Sequence, residues 1–536
     1  MRLDYKWRAA IVVALGLFMA VLDNTIVSVA LPQMQAYFHT DRDTINWVAT
    51  GYLLSQAAII PITGYLSDRI GTKLVFLVAL ALFTVGSGLC AIAPSEQWLI
   101  TFRVFQGIGG GALFPMAFAI VFRVFPPDQR GPAGALIGVP VLLAPAFGPT
   151  LGGYLTTTFD WHAIFTINLP VGVVAFVLAL VTLHSGKETG EPALDRQRLD
   201  IAGLLLAVTS STALVYGISE AGPKGWSDPT VLKFLIGGGI LLIAFVITEL
   251  RVSDPVLDVR LFLNYTFTIS NVLLWAISAF LFGGIYLLPV FFQNVQGHTP
   301  LASGEYVISQ GVAAAIGTLI AGRFYNSVGP RTLAVIGFAL VTAGTFGFTQ
   351  LDVNTTWQSL QPWMVLRGLG LGFTNIPLQT LALAVVSNKQ MARASSLSSA
   401  TRQIFGAVGI SVLFTILTQQ VAHYVSTQRQ SLIQSFAAGG TLDPSTPLGQ
   451  AVAACSKHFG ANVPAVQACV TQAAQQYVGA HVQTMGLNDV FVVSMIGTGV
   501  CTLIALFVGR DPAVEAAKRA KARGESVQPR AAVIGE

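Results

Sequence analysis

This sequence carries little charge. Only 10% of its 536 residues are Asp, Glu, Lys or Arg, against roughly a quarter in a soluble globular protein, and that scarcity excludes a soluble multidomain enzyme. No nucleophile, metal-ligand cluster or phosphate-binding loop stands in a context that would support catalysis. No catalytic residue, metal or cofactor is therefore expected. Cysteine is scarce too, at four residues. Cys90 and Cys501 fall in apolar runs and read as small core residues. Cys455 and Cys469 fall in the longest non-membrane stretch, 419–486, and are expected to pair as a disulfide on an oxidising outer face.

What the chain has instead is apolar length: 53% of it is hydrophobic. Runs of about 20 residues, enough to cross a hydrocarbon layer of roughly 30 Å as helix, recur from Ala9 to Val508. The first, from Ala9 to Leu31, is too long for a signal-peptide core and lacks a small-residue cleavage site, so it reads as a retained helix. The others are expected over 45–66, 74–93, 98–121, 132–157, 161–183, 200–219, 229–250, 265–291, 302–325, 332–350, 359–384, 395–417 and 487–509, fourteen in all. Net charge is +5, but placement says more than the sum. With the N-terminus inside, 22 of the 30 Lys and Arg residues fall in cytoplasmic segments and five (Arg42, Lys224, Lys233, Arg429, Lys457) outside. That asymmetry predicts both termini in the cytoplasm and gives no cause to expect nucleic acid as a partner.

The chain also repeats itself. Gly64, Asp68, Gly71 and Lys73 after the second span match Gly322, Asn326, Gly329 and Arg331 after the tenth, at a constant offset of 258. Arg103 with Gly107, Gly109, Gly110 and Gly111 is echoed by Arg367 with Gly368, Gly370 and Gly372. Two related six-helix bundles are expected, 1–184 and 261–509, joined by two linker helices within 185–260 and followed by a cytoplasmic tail, 510–536. Duplicated halves rocking about a midplane site are a route to alternating access.

Several motifs give the pattern a family. Gly64-Tyr65-Leu66-Ser67-Asp68-Arg69-Ile70-Gly71-Thr72-Lys73, Leu22-Asp23-Asn24-Thr25, Arg103-Val104-Phe105-Gln106-Gly107 and Gly148-Pro149-Thr150-Leu151-Gly152-Gly153 together resemble those of the fourteen-helix drug:proton antiporters of the major facilitator superfamily, the EmrB/QacA-type multidrug exporters. Two departures stand out: Thr72 where a basic residue is usual, and His162-Ala163 where Arg and Trp are commoner. The resemblance implies an all-α membrane fold of fourteen helices and proton-driven export across a bacterial cytoplasmic membrane.

Asp23 is the first candidate for proton coupling, because a carboxylate midway along an apolar helix costs roughly 2.5–3.5 kcal/mol when ionised. It is expected to face a water-filled cavity and to stay protonated. Arg103 needs an acidic partner, a carbonyl or water, unless it snorkels outward; the resemblance gives it a part in proton translocation. Glu305 is a second candidate, or a carboxylate stabilised at a helix start. Arg367 and Arg402 read as snorkelling or packing residues. The Gly148, Pro149, Gly152 and Gly153 seam should pack tightly and bend, and resemblance makes it a seal against leak. Gly64, Asp68, Arg69, Gly71 and Lys73 are expected to latch the halves on the cytoplasmic side.

Asn24, Tyr52, Gln56, Trp275, Phe282, Tyr286, Asn375 and Gln379 are candidates to line a substrate cavity, the aromatics offering faces and the amides adaptable hydrogen bonds. Lipophilic or monovalent cationic compounds are the expected cargo, with protons as counter-substrate and membrane lipid as surroundings. A dedicated exporter of one metabolite, lipid or fatty acid is the alternative, and a non-transporting membrane sensor a third reading. The outer segment 419–486 is long enough to offer a surface to a periplasmic adaptor protein.

Overall fold

The computed structural model describes residues 4–184, 200–437 and 463–509, with residues 454, 455, 457, 458, 511 and 515 singly. Among them there is no strand. Fifteen helices of more than one turn's length or at its limit run α1 Tyr5–Phe38, α2 Arg42–Ile70, α3 Thr72–Ala91, α4 Glu96–Val124, α5 Arg130–Thr158, α6 Ala163–Thr166, α7 Asn168–Thr182, α8 Ile201–Lys224, α9 Pro229–Arg251, α10 Tyr265–Val290, α11 Pro300–Val328, α12 Pro330–Phe346, α13 Trp357–Ala384, α14 Met391–Ala437 and α15 Val463–Ala505. Each expected span falls on helix, with the sixth split at Ile167 into α6 and α7. Eleven spans among the described residues are long and apolar enough to cross a membrane. The apolar stretches Tyr265–Phe280 and Pro330–Phe346 are shorter, and α13 is diluted by Arg367 and its amides.

Local chemistry sets the helix ends. Asp41, Ser95, Asp200, Asp228, Asn264 and Thr299 each cap a helix by accepting from a backbone N–H of its first turn, which satisfies donors that lipid or protein would otherwise leave bare. At the two repeated loops the break between helices needs a positive φ. Gly71 supplies it with φ 92° before α3, and Gly329 with φ 95° before α12. The sequence repeat is thus a repeat of backbone as well.

Packing runs opposite to that of a soluble protein. Val173, Val174, Val177 and Val181 on α7, and Ile236, Ile240 and Ile243 on α9, are exposed, while Asp23, Arg103, Gln106, Asn168 and Arg367 are buried. Closed helices with apolar exteriors are what a hydrocarbon solvent selects. The first half packs α1 against α5, α4 and α7, and α2 against α4; the second packs α11 and α12 against α13, and α10 against α14. The halves meet along α5–α11 and α2–α14, and α8 lies against both α2 and α14.

Candidate functional site

Asp23 sits at the meeting point of α1, α4 and α7, wholly buried. Arg103 of α4 donates through Nη1 to Asp23 Oδ2 at 2.5 Å. Gln106, one turn further along α4, and Asn168 at the start of α7 donate to Oδ1, each at 3.1 Å. The carboxylate therefore accepts from three donors, an arrangement that suits its ionised, acceptor-only form.

The surroundings fix those donors in turn. Arg103 donates through Nε to Val48 O at 3.1 Å and through Nη1 to Gln106 Oε1 at 2.8 Å, and its guanidinium lies over the Tyr52 ring, 3.9 Å from the centroid. Asn168 also donates to Ser87 Oγ, which donates to Phe165 O. Glycine makes room: a Cβ at Gly107 would stand 2.7 Å from Tyr52 O, so α2 can approach α4 only where that side chain is missing.

Several expectations are corrected here. Asp23 is wholly buried rather than open to a cavity: Arg103 balances its charge, and Gln106 and Asn168 donate to Oδ1. Arg103, by contrast, has an acidic partner in Asp23 and a carbonyl in Val48 O, as its expected need required, and does not snorkel. Tyr52 is fully buried as the platform for Arg103. Glu305 is exposed on α11 and is not brought to this site.

A second cluster closes the cytoplasmic side. Asp68 accepts from Arg123 Nη2 of α4 at 3.1 Å and from Arg393 Nε of α14 at 2.8 Å. Arg393 reaches on through Nη1 to Asp254 Oδ1 at 2.6 Å. Of the other two charged residues expected in the latch, Arg69 lies 3.8 Å from Asp254 and Lys73 donates to Leu180 O. Thr72 accepts from Arg123, so the departure from the usual basic residue supports the latch. A Cβ at Gly64 would stand 2.6 Å from Ala392 O, and Ser395 donates to Pro115 O. The two halves touch here without intervening space.

The glycine seam of α5 packs against α1 and α11. A Cβ at Gly148 would collide with Thr25, one at Gly152 would stand 3.0 Å from Ile26 O, and one at Gly153 would stand 3.2 Å from Leu301. Pro149 lies inside α5, beside Gly304 of α11. The seam thus lies directly behind the α1 segment that carries Asp23.

The remaining candidates are scattered. Asn24 is exposed midway along α1. Gln56 is buried against Gly110 and Gly111 of α4, inside the first half. Trp275 is half-buried, stacked on Phe405 at 4.4 Å and donating to Thr401. Gln379 donates to Ser398, and Asn375 Oδ1 accepts from Arg402 Nη1 at 3.3 Å. The side chains of Phe282 and Tyr286 lie outside the described residues. Cys455 and Cys469 are joined by a disulfide, their Cα atoms 5.8 Å apart. The residues missed from sequence are Gln106, Asn168, Arg123, Arg393 and Asp254. Gln106 stood inside a recognised motif, but nothing local tells that its amide, or that of Asn168, turns to Asp23.

Comparison with known proteins agrees with this architecture. The Major Facilitator Superfamily pattern matches residues 13–410. The chain is 30% identical over 526 residues to the uncharacterized MFS-type transporter YhcA of Bacillus subtilis, covering 97% of this chain and 96% of the relative. It is 36% identical over 448 residues to a multidrug resistance protein B homolog of Mycobacterium tuberculosis, covering 82% of each. The solved structure of the human organic anion transporter MFSD10 overlays with a TM-score of 0.59, covering 92% of this chain and 100% of that one, at 14% identity, a likeness of fold alone. A multi-pass chain with two helical halves, a buried ion pair and this match over most of its length is a membrane transporter, not an enzyme, and it belongs to the major facilitator superfamily.

Proposed function

We propose that this chain is a proton-coupled exporter, a drug:proton antiporter with fourteen spans and both termini in the cytoplasm of a bacterium, moving lipophilic compounds outward across the cytoplasmic membrane. The observation that carries the reading is the Asp23 site. A carboxylate held by Arg103, Gln106 and Asn168 from two other helices cannot take up a proton without losing its charge-assisted bond to Arg103. Proton binding thereby loosens α1 from α4, and proton release draws them together.

The closed latch gives the cycle a starting point. We take this conformation, with Asp68, Arg123, Arg393 and Asp254 joined on the cytoplasmic side, as the one in which protons arrive from the outer side. Protonated Asp23 frees Arg103 to rest on Val48 O, Gln106 and Tyr52, and the halves rock until the latch parts. Cargo then enters from the cytoplasm as Arg103 displaces the proton inward. No additional cofactor is needed, because the proton gradient supplies the energy. The name of the mycobacterial relative supports export of drug-like compounds, and the scarcity of carboxylates in the second half disfavours dications. A periplasmic adaptor would meet the ends of α14 and α15, where the chain extends beyond the expected spans.

The test is Asp23→Asn in liposomes. The variant is expected to insert and bind cargo but to lose both export driven by a pH gradient and cargo-induced proton release. Undiminished coupled export by the variant refutes the proposal.

A further inference from the structure

Arg402 is a cation the cycle above does not use. It stands on α14 where α10 and α13 of the second half meet α4 of the first. Its Nε donates to Ser278 Oγ at 2.8 Å and its Nη1 to Asn375 Oδ1 at 3.3 Å, and its guanidinium lies 5.8 Å from the Phe114 ring centroid. Both partners are neutral. Among the described residues no carboxylate pairs with Arg402 and no acceptor meets its Nη2. Beside it Asn375 is 1% exposed, and its Nδ2 has no partner among the described residues.

These facts point one way. A guanidinium in a membrane-spanning bundle is costly unless something neutralises it, and the N–H groups left over here are donors, as a bound anion requires. Arg367, one helix away, adds a second charge in the same half. It is 1% exposed and, among the described residues, donates to Phe280 O alone and leaves Nε and Nη1 without partners. A cationic cargo placed against Arg402 would meet repulsion from both. The apolar surface for the rest of such a cargo is adjacent: Phe405, one turn along α14, is 41% exposed and stacked on Trp275.

We infer that Arg402 and Asn375 form an anion subsite, and that the preferred cargo is an amphiphile bearing a carboxylate, its acid group on Arg402 and its apolar body against Phe114, Trp275 and Phe405. The inference rests on the export reading for its biological sense and replaces the expectation of a cationic cargo, but its test needs no proton gradient.

The probe pair is dansyl-undecanoic acid and its methyl ester, titrated onto detergent-purified full-length protein at pH 8, where the acid is ionised, with binding read by energy transfer from tryptophan. Wild type is expected to bind the acid about tenfold more tightly than the ester, the scale of one charge-assisted hydrogen-bonded contact. Arg402→Gln should abolish that preference while leaving ester binding unchanged, and Arg402→Lys should restore part of it. Asp23→Asn should keep the preference intact even where it abolishes coupled export, so failure of coupling and failure of the subsite are separate results. Equal binding of acid and ester by wild type, no binding of the acid, or a preference that survives Arg402→Gln would each overturn the subsite. The wild-type comparison stands even if a variant does not fold.

Discussion

Removing Arg103 strands a charge. Asp23 would remain wholly buried with two amides for company, and breaking a buried pair from one side costs about 3–5 kcal/mol. Arg103→Ala should therefore lower the thermal midpoint in detergent sharply. The double variant Asp23→Asn with Arg103→Gln, which removes both charges and keeps hydrogen-bonding groups, should recover most of the loss. An equal loss in single and double variants would mean that volume rather than charge governs the site. Arg103→Lys tests geometry: an ammonium cannot hold Val48 O, Gln106 and Asp23 while lying flat on Tyr52. It should fold and insert, yet fall at least tenfold in coupled transport, as loss of about 1.4 kcal/mol would give; wild-type rates in that variant would leave the planar fork without a role.

Among the helices, the latch depends on closeness as well as charge. A methyl group at Gly64 would press on the backbone of Ala392, which cannot rotate away as a side chain can. Gly64→Ala and Asp68→Asn are both expected to favour the conformation open to the cytoplasm. A Ser395→Cys reporter, buried in this conformation, should then react about tenfold faster with an impermeant maleimide in inside-out vesicles, the effect of a bias of about 1.4 kcal/mol between two states. Cys90 and Cys501 are buried and give little background. An unchanged rate in both variants would remove the latch from the cycle. These elements were legible in sequence to an uneven degree. Hydropathy located every helix because lipid imposes length and apolar composition locally, and the repeat at Gly71 and Gly329 survived because each needs a positive φ. Partners of Asp68 were not legible. Arg123 and Arg393 lie 55 and 325 residues away, and which basic residue reaches a carboxylate depends on helix rotation, which hydropathy does not encode. The same holds for Tyr52, an aromatic whose spacing suits a cavity wall but whose rotation puts it under Arg103.

For the whole molecule, the proposed rocking of the halves must accommodate two extra helices. α8 packs against both sides of the α2–α14 seam to a similar extent, but its hydrogen bonds are placed differently. Towards α2, Tyr65 Oη accepts from Asp200 N at the cap of α8, Ser211 donates to Ala57 O, and Tyr216 stacks on Trp47. Towards α14, Trp226, two residues past α8, donates to Thr415, and Gly222 lies near Ser411. A helix hydrogen-bonded to one partner at its start and middle, and to the other beyond its end, should travel with the first and slide on the second. α8 is thus expected to move with the N-terminal half. Cysteines at 211 and 57 joined by a short bis-maleimide should leave transport in liposomes intact. A disulfide between cysteines at 222 and 411, where a Cβ at Gly222 would lie 3.6 Å from Ser411 Oγ and the two side chains are neighbours, should stop it until a reductant is added. If the first cross-link stops transport and the second does not, α8 belongs to the C-terminal half. If neither has any effect, rocking across this seam is not the motion that carries cargo.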